Sequence, residues 1–562
     1  MSLDIPTQSH DTLEMVDCGV KQARDVFEGL VDLAGHFLTK HQYYASSVCA
    51  QIAADYACIR HPGLFVSPQL EKLLCTIGAK FIRESAQLPN QHRTAQKLKP
   101  THVLHVLTYA KPIGGDTRFV YRWIQMDGAR SHSVVITGLQ VDEVPTILSD
   151  AVVHTGGKIY RIDRTVTNPI QRAQALRDIS NCADLIVLHS YPQDTVPVIA
   201  FANKGALPPV VNVTHADQVF WVGVSISDVF AHLREGGCRL AEERRGIERE
   251  RYAFLPIPLT PSPRILSRSE AKKQIGLPED SILILSIARA MKYKPISGPS
   301  FLDVITPVVE KHKKAVLLVI GPESSEQWEA VKQKTQGRIK ALGTMSETRV
   351  YYEAADIYVD SFPFSSNTSL LEAAGYGLPL VSYFPFSAQT EVLGAGAPGI
   401  DGTLIKVTDD HTYRGMISRL IEDLEFRQQM GESTRRNVLE VHNGYVWDRH
   451  LQTLYAKAFS THSKISSLTM STNYEHTGEL DVLLNRLYPH FSLTGAIEQY
   501  VKPLPLWLRF RILSKMLKID RTFSFSLFLP DWLAVRVNPY MRGWRKFPGV
   551  SWWMNRPYKA TN

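Results

Sequence analysis

Residues Asp356–Tyr383 read DIYVDSFPFSSNTSLLEAAGYGLPLVSY. A short apolar strand enters the loop 361–366. Hydroxyl and amide side chains then gather at Asn367, Thr368 and Ser369, ahead of a helix expected over Leu370–Gly375 and a strand over Leu378–Tyr383. A fresh helix end carries unpaired backbone N–H groups and the positive end of the helix dipole. Such an end binds phosphate, and short polar side chains let the phosphate come close. Glu372 follows one turn into the helix, placed to accept a hydrogen bond from a sugar hydroxyl. The chemistry suggested is the holding of a nucleotide diphosphate. The plainer alternative is a strand–loop–helix unit capped by Asn367 or Thr368.

Two further groups of residues follow buried strands. HVLHVLTY runs into AKPIGGDTR, which places Gly114 and Gly115 in a loop before a helix. PPVVNV runs into His215 and Asp217. An imidazole at that place can take a proton from a hydroxyl or touch a bound sugar. Phe220 and Trp221 are either a sugar platform or core. His215 has the alternative of an ordinary surface histidine, and Gly114–Gly115 that of a simple turn.

The elements that position these residues are an α/β alternation. HVLHVLTY, SHSVVIT, GKIYRI, ADLIVLH and PPVVNV read as strands, with helical stretches between several of them. The pattern implies a doubly wound, mainly parallel sheet, whose ligands gather at the carboxyl ends of the strands. RYAFLPIPL then leads into the proline-bearing hinge TPSPR. A second set follows: SILILSI, AVLLVIG, RIKALG, DIYVD, LPLVSY and GTLIKV. The helix VWDRHLQTLYAKAF closes it.

Over Thr101–Ser460 the chain resembles GT-B glycosyltransferases, and the Asp356–Tyr383 stretch is similar to the O-GlcNAc-transferase-like and family 4 groups. The resemblance implies two doubly wound Rossmann-like domains, with the closing helix crossing back to the first. It implies that Gly114 and Gly115 approach the donor phosphates and that Glu372 binds the donor ribose. In SIARAMKYK, Arg289 matches an arginine that neutralises the donor diphosphate; Lys292 or Lys294 matches the accompanying lysine, with Lys294 preferred. Fixed cations there would stabilise the leaving charge without a metal. His215, Asp217, Arg289 and Lys294 are thus the expected catalytic set. Gly114, Gly115, Asn367, Thr368, Ser369 and Glu372 are the expected donor-binding set. One departure is Phe364, where family 4 retaining enzymes carry a glutamate eight positions before Glu372. PFSSNTS is nearer the inverting O-GlcNAc-transferase-like loop, so the stereochemical outcome stays open.

The implied activity moves a hexose-type sugar from a nucleotide diphosphate, best a UDP-sugar, to a hydroxyl on a glycan, a lipid-linked intermediate or a protein. The alternatives are a sugar-nucleotide epimerase or a phosphorylase on the same fold, or a non-catalytic nucleotide-sugar scaffold. Neither a metal nor another cofactor is expected.

The chain has 562 residues, 44% hydrophobic and 21% charged, a globular balance too long for one core. Four parts are expected. Residues 1–86 form a helical domain similar to a degenerate tetratricopeptide hairpin, a surface suited to a protein partner. Residues 101–257 and 265–460 form the two lobes, and 480–562 form a basic, aromatic extension. No signal peptide or membrane span is expected, and six cysteines in no zinc or disulfide pattern suit a reducing cytoplasm. Cys18, Cys49, Cys58 and Cys75 read as small buried residues. From Leu506 onward lie eleven Lys/Arg, two Asp/Glu and five of the nine tryptophans, a local +9 against a net charge of +8, so the rest of the chain sums to −1. Such a segment suits contact with an anionic membrane face; nothing else resembles a nucleic-acid module, and the alternative is a packed accessory domain.

Overall fold

The computed structural model describes residues 10–83, 99–139, 142–162, 168–205, 207–260, 263–296, 298–462, 478–487, 493–520 and 523. The first sheet contains β1 (His102–Leu107), β2 (Ser131–Ile136), β3 (Ile159–Arg161), β4 (Leu185–His189), β5 (Val210–Val213), β6 (Val229–His232) and β7 (Tyr252–Phe254). The second contains β8 (Ile282–Ile287), β9 (Ala315–Ile320), β10 (Ile339–Ala341), β11 (Ile357–Val359), β12 (Leu380–Tyr383) and β13 (Leu404–Val407). Every pairing is parallel, in the orders β3-β2-β1-β4-β5-β6-β7 and β10-β9-β8-β11-β12-β13. Parallel strands are covered on both faces, so they read as unbroken apolar runs. β4 and β9 are buried at every residue.

Chain direction across the sheet reverses between β1 and β4 in the first lobe, and between β8 and β11 in the second. Ligand crevices form at such switch points, at the carboxyl ends of the strands. The Gly114–Gly115 loop follows β1. The Arg289 loop follows β8, and the 361–366 loop follows β11. All three therefore open at the two switch points.

The VFAH strand β6 was not expected from sequence. It is four residues long and directly follows the polar stretch SISD, so no alternation announces it. The donor-loop helix begins at Asn367 with Ser366 as its N-cap. Asn367, Thr368 and Ser369 thus occupy its first turn instead of preceding it.

The helices His10–Thr39, Tyr43–Ile59 and Pro68–Phe81 share one continuous core with the first sheet. Ser67 accepts from Leu70 N and Pro68 opens the third helix, as that pair of residues predicts. Buried Glu71 fastens this helix to the lobe by accepting from the amides of Gly223, Val224 and Ser225. Helices Leu493–Val501 and Leu506–Ile519 join the same core through Ile497, Leu508, Ile512 and Met516. The start of the basic extension is therefore a packed element, although Leu506, Trp507 and Phe510 stay exposed. Trp532, Trp544, Trp552 and Trp553 lie outside the described residues. Among those described, no helix is long and apolar enough to cross a membrane.

Of the two readings of Phe220 and Trp221 the structure takes the core one, with Phe220 packed on Phe27 and Trp221 on Phe230 and Arg245. One cysteine expectation is corrected. Cys18 is exposed, because its helix turns that side outward; Cys49 is buried and Cys58 and Cys75 are half-buried.

The closing helix Gly444–His462 packs on the first sheet, with Trp447, Leu451, Leu454 and Tyr455 in a core shared with β1, β4, β5, β6 and β7. Trp447 Nε1 donates to Pro256 O at 2.8 Å. Trp447→Ala should lower unfolding free energy by about 3–5 kcal/mol, the usual loss for a buried large side chain, measured by urea titration.

Candidate functional site

Two helices begin at the cleft, one from each lobe. Gly115–Met126 starts after Gly114, and Asn367–Gly375 starts after Ser366; neither has a side-chain cap on its first turn. Their free N–H groups face the cleft as donors. The two ends are close, since a methyl group placed on Gly115 would sit 3.4 Å from Thr368 Oγ1. Gly114 is extended, so what Gly115 supplies is room for the opposite lobe.

The structure joins Glu372 to the same helix. Arg118 and Arg122, one turn apart on Gly115–Met126, both reach the Glu372 carboxylate, Arg122 Nη2 at 3.2 Å. Sequence reasoning missed these arginines. Their four-residue spacing just after the glycine loop is the signal that could have found them. Asp217 takes part in a second bridge between the lobes. Arg234 grips it in two-pronged fashion at 2.7 and 2.6 Å, and also donates to Gly394 O at 3.0 Å and Val392 O at 2.6 Å. Asp217 thus orients Arg234, the side chain that reaches the second lobe.

The donor loop is built around buried Asp360, at the end of β11. Its carboxylate accepts from Ser361 N at 2.9 Å and Ser366 N at 3.0 Å. Asn367 Oδ1 accepts from Gly396 N at 3.1 Å, and Ser369 Oγ lies 3.1 Å from Ser366 Oγ. Lys292 comes to this loop: Nζ donates to Ser365 O at 2.6 Å and lies over the Phe364 ring. Burial pushes its ammonium down to about 8, with Asp360 opposing and Arg289 and Arg234 reinforcing. Burial likewise pushes the Asp360 carboxyl up. Arg289 is exposed and has no hydrogen-bond or ion-pair partner among the described residues, yet its charge is felt by both Lys292 and Tyr191 of the first lobe. Lys294 is exposed, and no side-chain contact among the described residues links it to this group.

His215 is partly buried at the carboxyl end of β5, against the edge of Phe119, with Nε2 2.9 Å from His189 Nδ1. It lines a small pocket with Tyr191 and Thr214. Burial lowers its basicity while Asp116 beside the glycine loop opposes that shift. The structure therefore brings Gly115, Thr368 and Glu372 together, gathers Lys292 with Asp360 and the loop, and sets His215 on the first-lobe rim. No group of three His, Cys, Asp or Glu residues suited to a metal occurs among the described residues.

Residues 267–437, most of the second lobe, match the family model "Glycosyl transferases group 1". The chain has the GT-B fold of glycosyltransferases. A glycosyltransferase from Rickettsia africae ESF-5 is 14% identical with a TM-score of 0.50, and the match covers 65% of this chain and 99% of that one. An O-GlcNAc transferase variant from Thermobaculum terrenum is 14% identical with a TM-score of 0.46, over 79% and 83% of the two chains. At 14% identity the likeness to the Rickettsia africae protein is one of fold. The D-inositol 3-phosphate glycosyltransferase of Thermobifida fusca (strain YX) is 25% identical over 205 residues, 34% of this chain and 45% of that relative. The chain thus spans under half of that relative's length.

The two lysines should separate on stability. Lys292→Met should cost about 1.5–3 kcal/mol, the range for a hydrogen bond to a charged group, and Lys294→Met should stay within about 0.5 kcal/mol, both by urea unfolding.

Proposed function

We propose that this GT-B protein transfers a sugar from a nucleotide diphosphate, UDP being the best candidate, to a hydroxyl acceptor. The observation that carries this reading is the meeting of two uncapped helix ends from opposite lobes, beside Arg289 and Lys292. Together they make a cradle for a diphosphate. As the bond from sugar to phosphate breaks, negative charge grows on the leaving diphosphate. Helix-end amides and fixed cations stabilise that charge more than the ground state, which is what accelerates the step. Lys292, held at the donor loop, is the better-placed lysine; Lys294 is outside the cradle. Glu372 accepts the ribose hydroxyls in exchange for, or alongside, its contacts with Arg118 and Arg122. The acceptor enters from the His215 side. A lipid-linked acceptor suits the exposed Leu506, Trp507 and Phe510 flanked by basic residues.

The deciding experiment offers a panel of nucleotide sugars to the whole chain and measures binding and slow hydrolysis. Release of nucleoside diphosphate without an altered free donor separates a transferase from an epimerase. Binding without turnover supports the scaffold alternative.

Arg289→Ala should lower kcat by about 100-fold or more, as for loss of one fixed donor to a developing anion. A wild-type kcat in that variant removes Arg289 from the mechanism. UDP affinity should fall as pH rises through about 8, where Lys292 loses its proton, and Lys292→Met should abolish that step in calorimetric titrations. Glu372→Ala should weaken UDP by about 1.5–3 kcal/mol; unchanged affinity would assign the carboxylate to the bridge between the lobes alone.

A further inference from the structure

Four histidines occupy neighbouring strands of the first sheet, one at each. Along β2-β1-β4-β5 they are His132, His105, His189 and His215, the last just past the strand end. Val103 of β1 pairs with His132, and His105 is two residues further on. His105 pairs with Val187 of β4, and His189 is again two residues further. Each step moves one strand across and two residues along. That keeps every ring on one face and within diagonal reach of the next.

The rings touch through their nitrogens. His132 Nδ1 lies 2.9 Å from His105 Nε2, His105 Nδ1 lies 3.0 Å from His189 Nε2, and His189 Nδ1 lies 2.9 Å from His215 Nε2. All three centroid separations are 5.2 Å, so the rings meet edge to edge. Phe119 and Trp123 of the glycine-loop helix cover the row. His105, His132 and His189 are at most 2% exposed.

The buried end sets the direction. His132 Nε2 lies 3.1 Å from the main-chain oxygen of Asp127 and 3.4 Å from its Oδ2. A carbonyl oxygen only accepts, so Nε2 carries the proton and Nδ1 of the neutral ring must accept. His105 then donates from Nε2 and accepts at Nδ1, and the same logic passes to His189 and His215. His215 ends with its proton on Nε2. Its Nδ1 has no hydrogen-bond partner among the described residues. Asp127 is itself held by Arg130 and by the Tyr455 hydroxyl at 2.6 Å.

We propose that His215, His189, His105 and His132 form a directional proton relay ending at Asp127, with His215 Nδ1 as the general base for the acceptor hydroxyl. The relay rests on the transferase reading of the cleft. In the step, the acceptor oxygen bonds to the anomeric carbon as the bond from that carbon to phosphate breaks, its electron pair leaving on the diphosphate. The hydroxyl proton goes to His215 Nδ1. The Nε2 protons of His215, His189 and His105 each move to the next Nδ1, leaving His132 protonated on both nitrogens beside the Asp127 carboxylate. After product release the shifts reverse and the proton leaves from His215. Direct attack by a deprotonated acceptor inverts the anomeric configuration.

Other charges facing the row are His102 beside His105, Asp116 near His215, and Arg130 at Asp127. Burial holds the His105 and His189 rings well below the usual imidazole range, with neighbouring histidines adding to it. These two rings therefore pass charge without storing it, and the carboxylate at the end is what gives the charge a place to rest.

The test reads the full chain labelled with 15N-histidine by NMR at neutral pH. The expected result is the Nε2–H tautomer at all four rings; an Nδ1–H tautomer at His215 overturns the relay. This readout needs no turnover. Failure of the transferase reading would instead show as a wild-type chain that turns over no nucleotide sugar. Kinetics supply the second arm, with His105→Phe and His105→Gln. Gln offers one donor and one acceptor but passes no proton. Both variants should keep UDP affinity and lose kcat by about 10–100-fold. The acid limb of the kcat profile should move to lower pH, because protonated His215 no longer shares its charge with Asp127. A lowered kcat with an unmoved limb makes the row a packing feature and overturns the proposal. If His105→Phe does not fold, His105→Gln decides alone. A product of retained configuration overturns the role of His215 as base.

Discussion

Unpaired amides at two helix ends govern the arrangement of the cleft. A helix start without a cap is costly to bury and favourable only opposite water or an anion. Two such starts face each other here, which removes room for a thick water layer and favours one shared negative ligand. The glycine at position 115 follows from this, since a side chain there would press on Thr368. So does the crowd of short side chains in 365–369. The buried Asp360 is the counterweight, fixing the loop by accepting its amides while leaving the helix end free.

The lobes are held at this distance by charge. Glu372 with Arg118 and Arg122 spans the cleft, and so does Arg234, which Asp217 of its own lobe orients toward the carbonyls of Val392 and Gly394. Exposed ion pairs contribute little, but these are largely shielded and Arg234 also satisfies two main-chain carbonyls. Both bridges are polar, so water or a ligand hydroxyl can replace their contacts during opening. An apolar seam would offer no such exchange.

The lobes were legible in sequence because parallel strands announce themselves as apolar runs and their loops carry glycine, hydroxyl and basic residues. β6 was hidden because four residues are too few to show a period. Lys292 and Lys294 were inseparable by sequence: two residues apart in a short turn, their directions depend on a single bend of the 3-10 segment Ala290–Tyr293. Asp217 looked chemical because it follows a strand end, and only the fold shows Arg234 arriving beside it. The histidine row was invisible for a different reason. Each ring of the row comes from a different strand or strand end, and the strand order, which no local pattern encodes, makes them neighbours.

The closing helix has a consequence for how the molecule is made. Trp123 Nε1 meets the Tyr455 hydroxyl across 332 positions of chain, and His61 meets Asp481 across 420. At a ribosome's pace of about 5–20 residues per second, Trp123 waits roughly 20 seconds to a minute for Tyr455, the last wall of the first lobe. Throughout that interval the apolar faces later covered by Trp447, Leu451 and Leu454 stand open on the nascent chain. The second lobe, whose described core draws on residues 257–439, meets no such delay. The order of completion is thus the reverse of the order of synthesis, and the emerging first lobe is the segment that a chaperone would have to shelter.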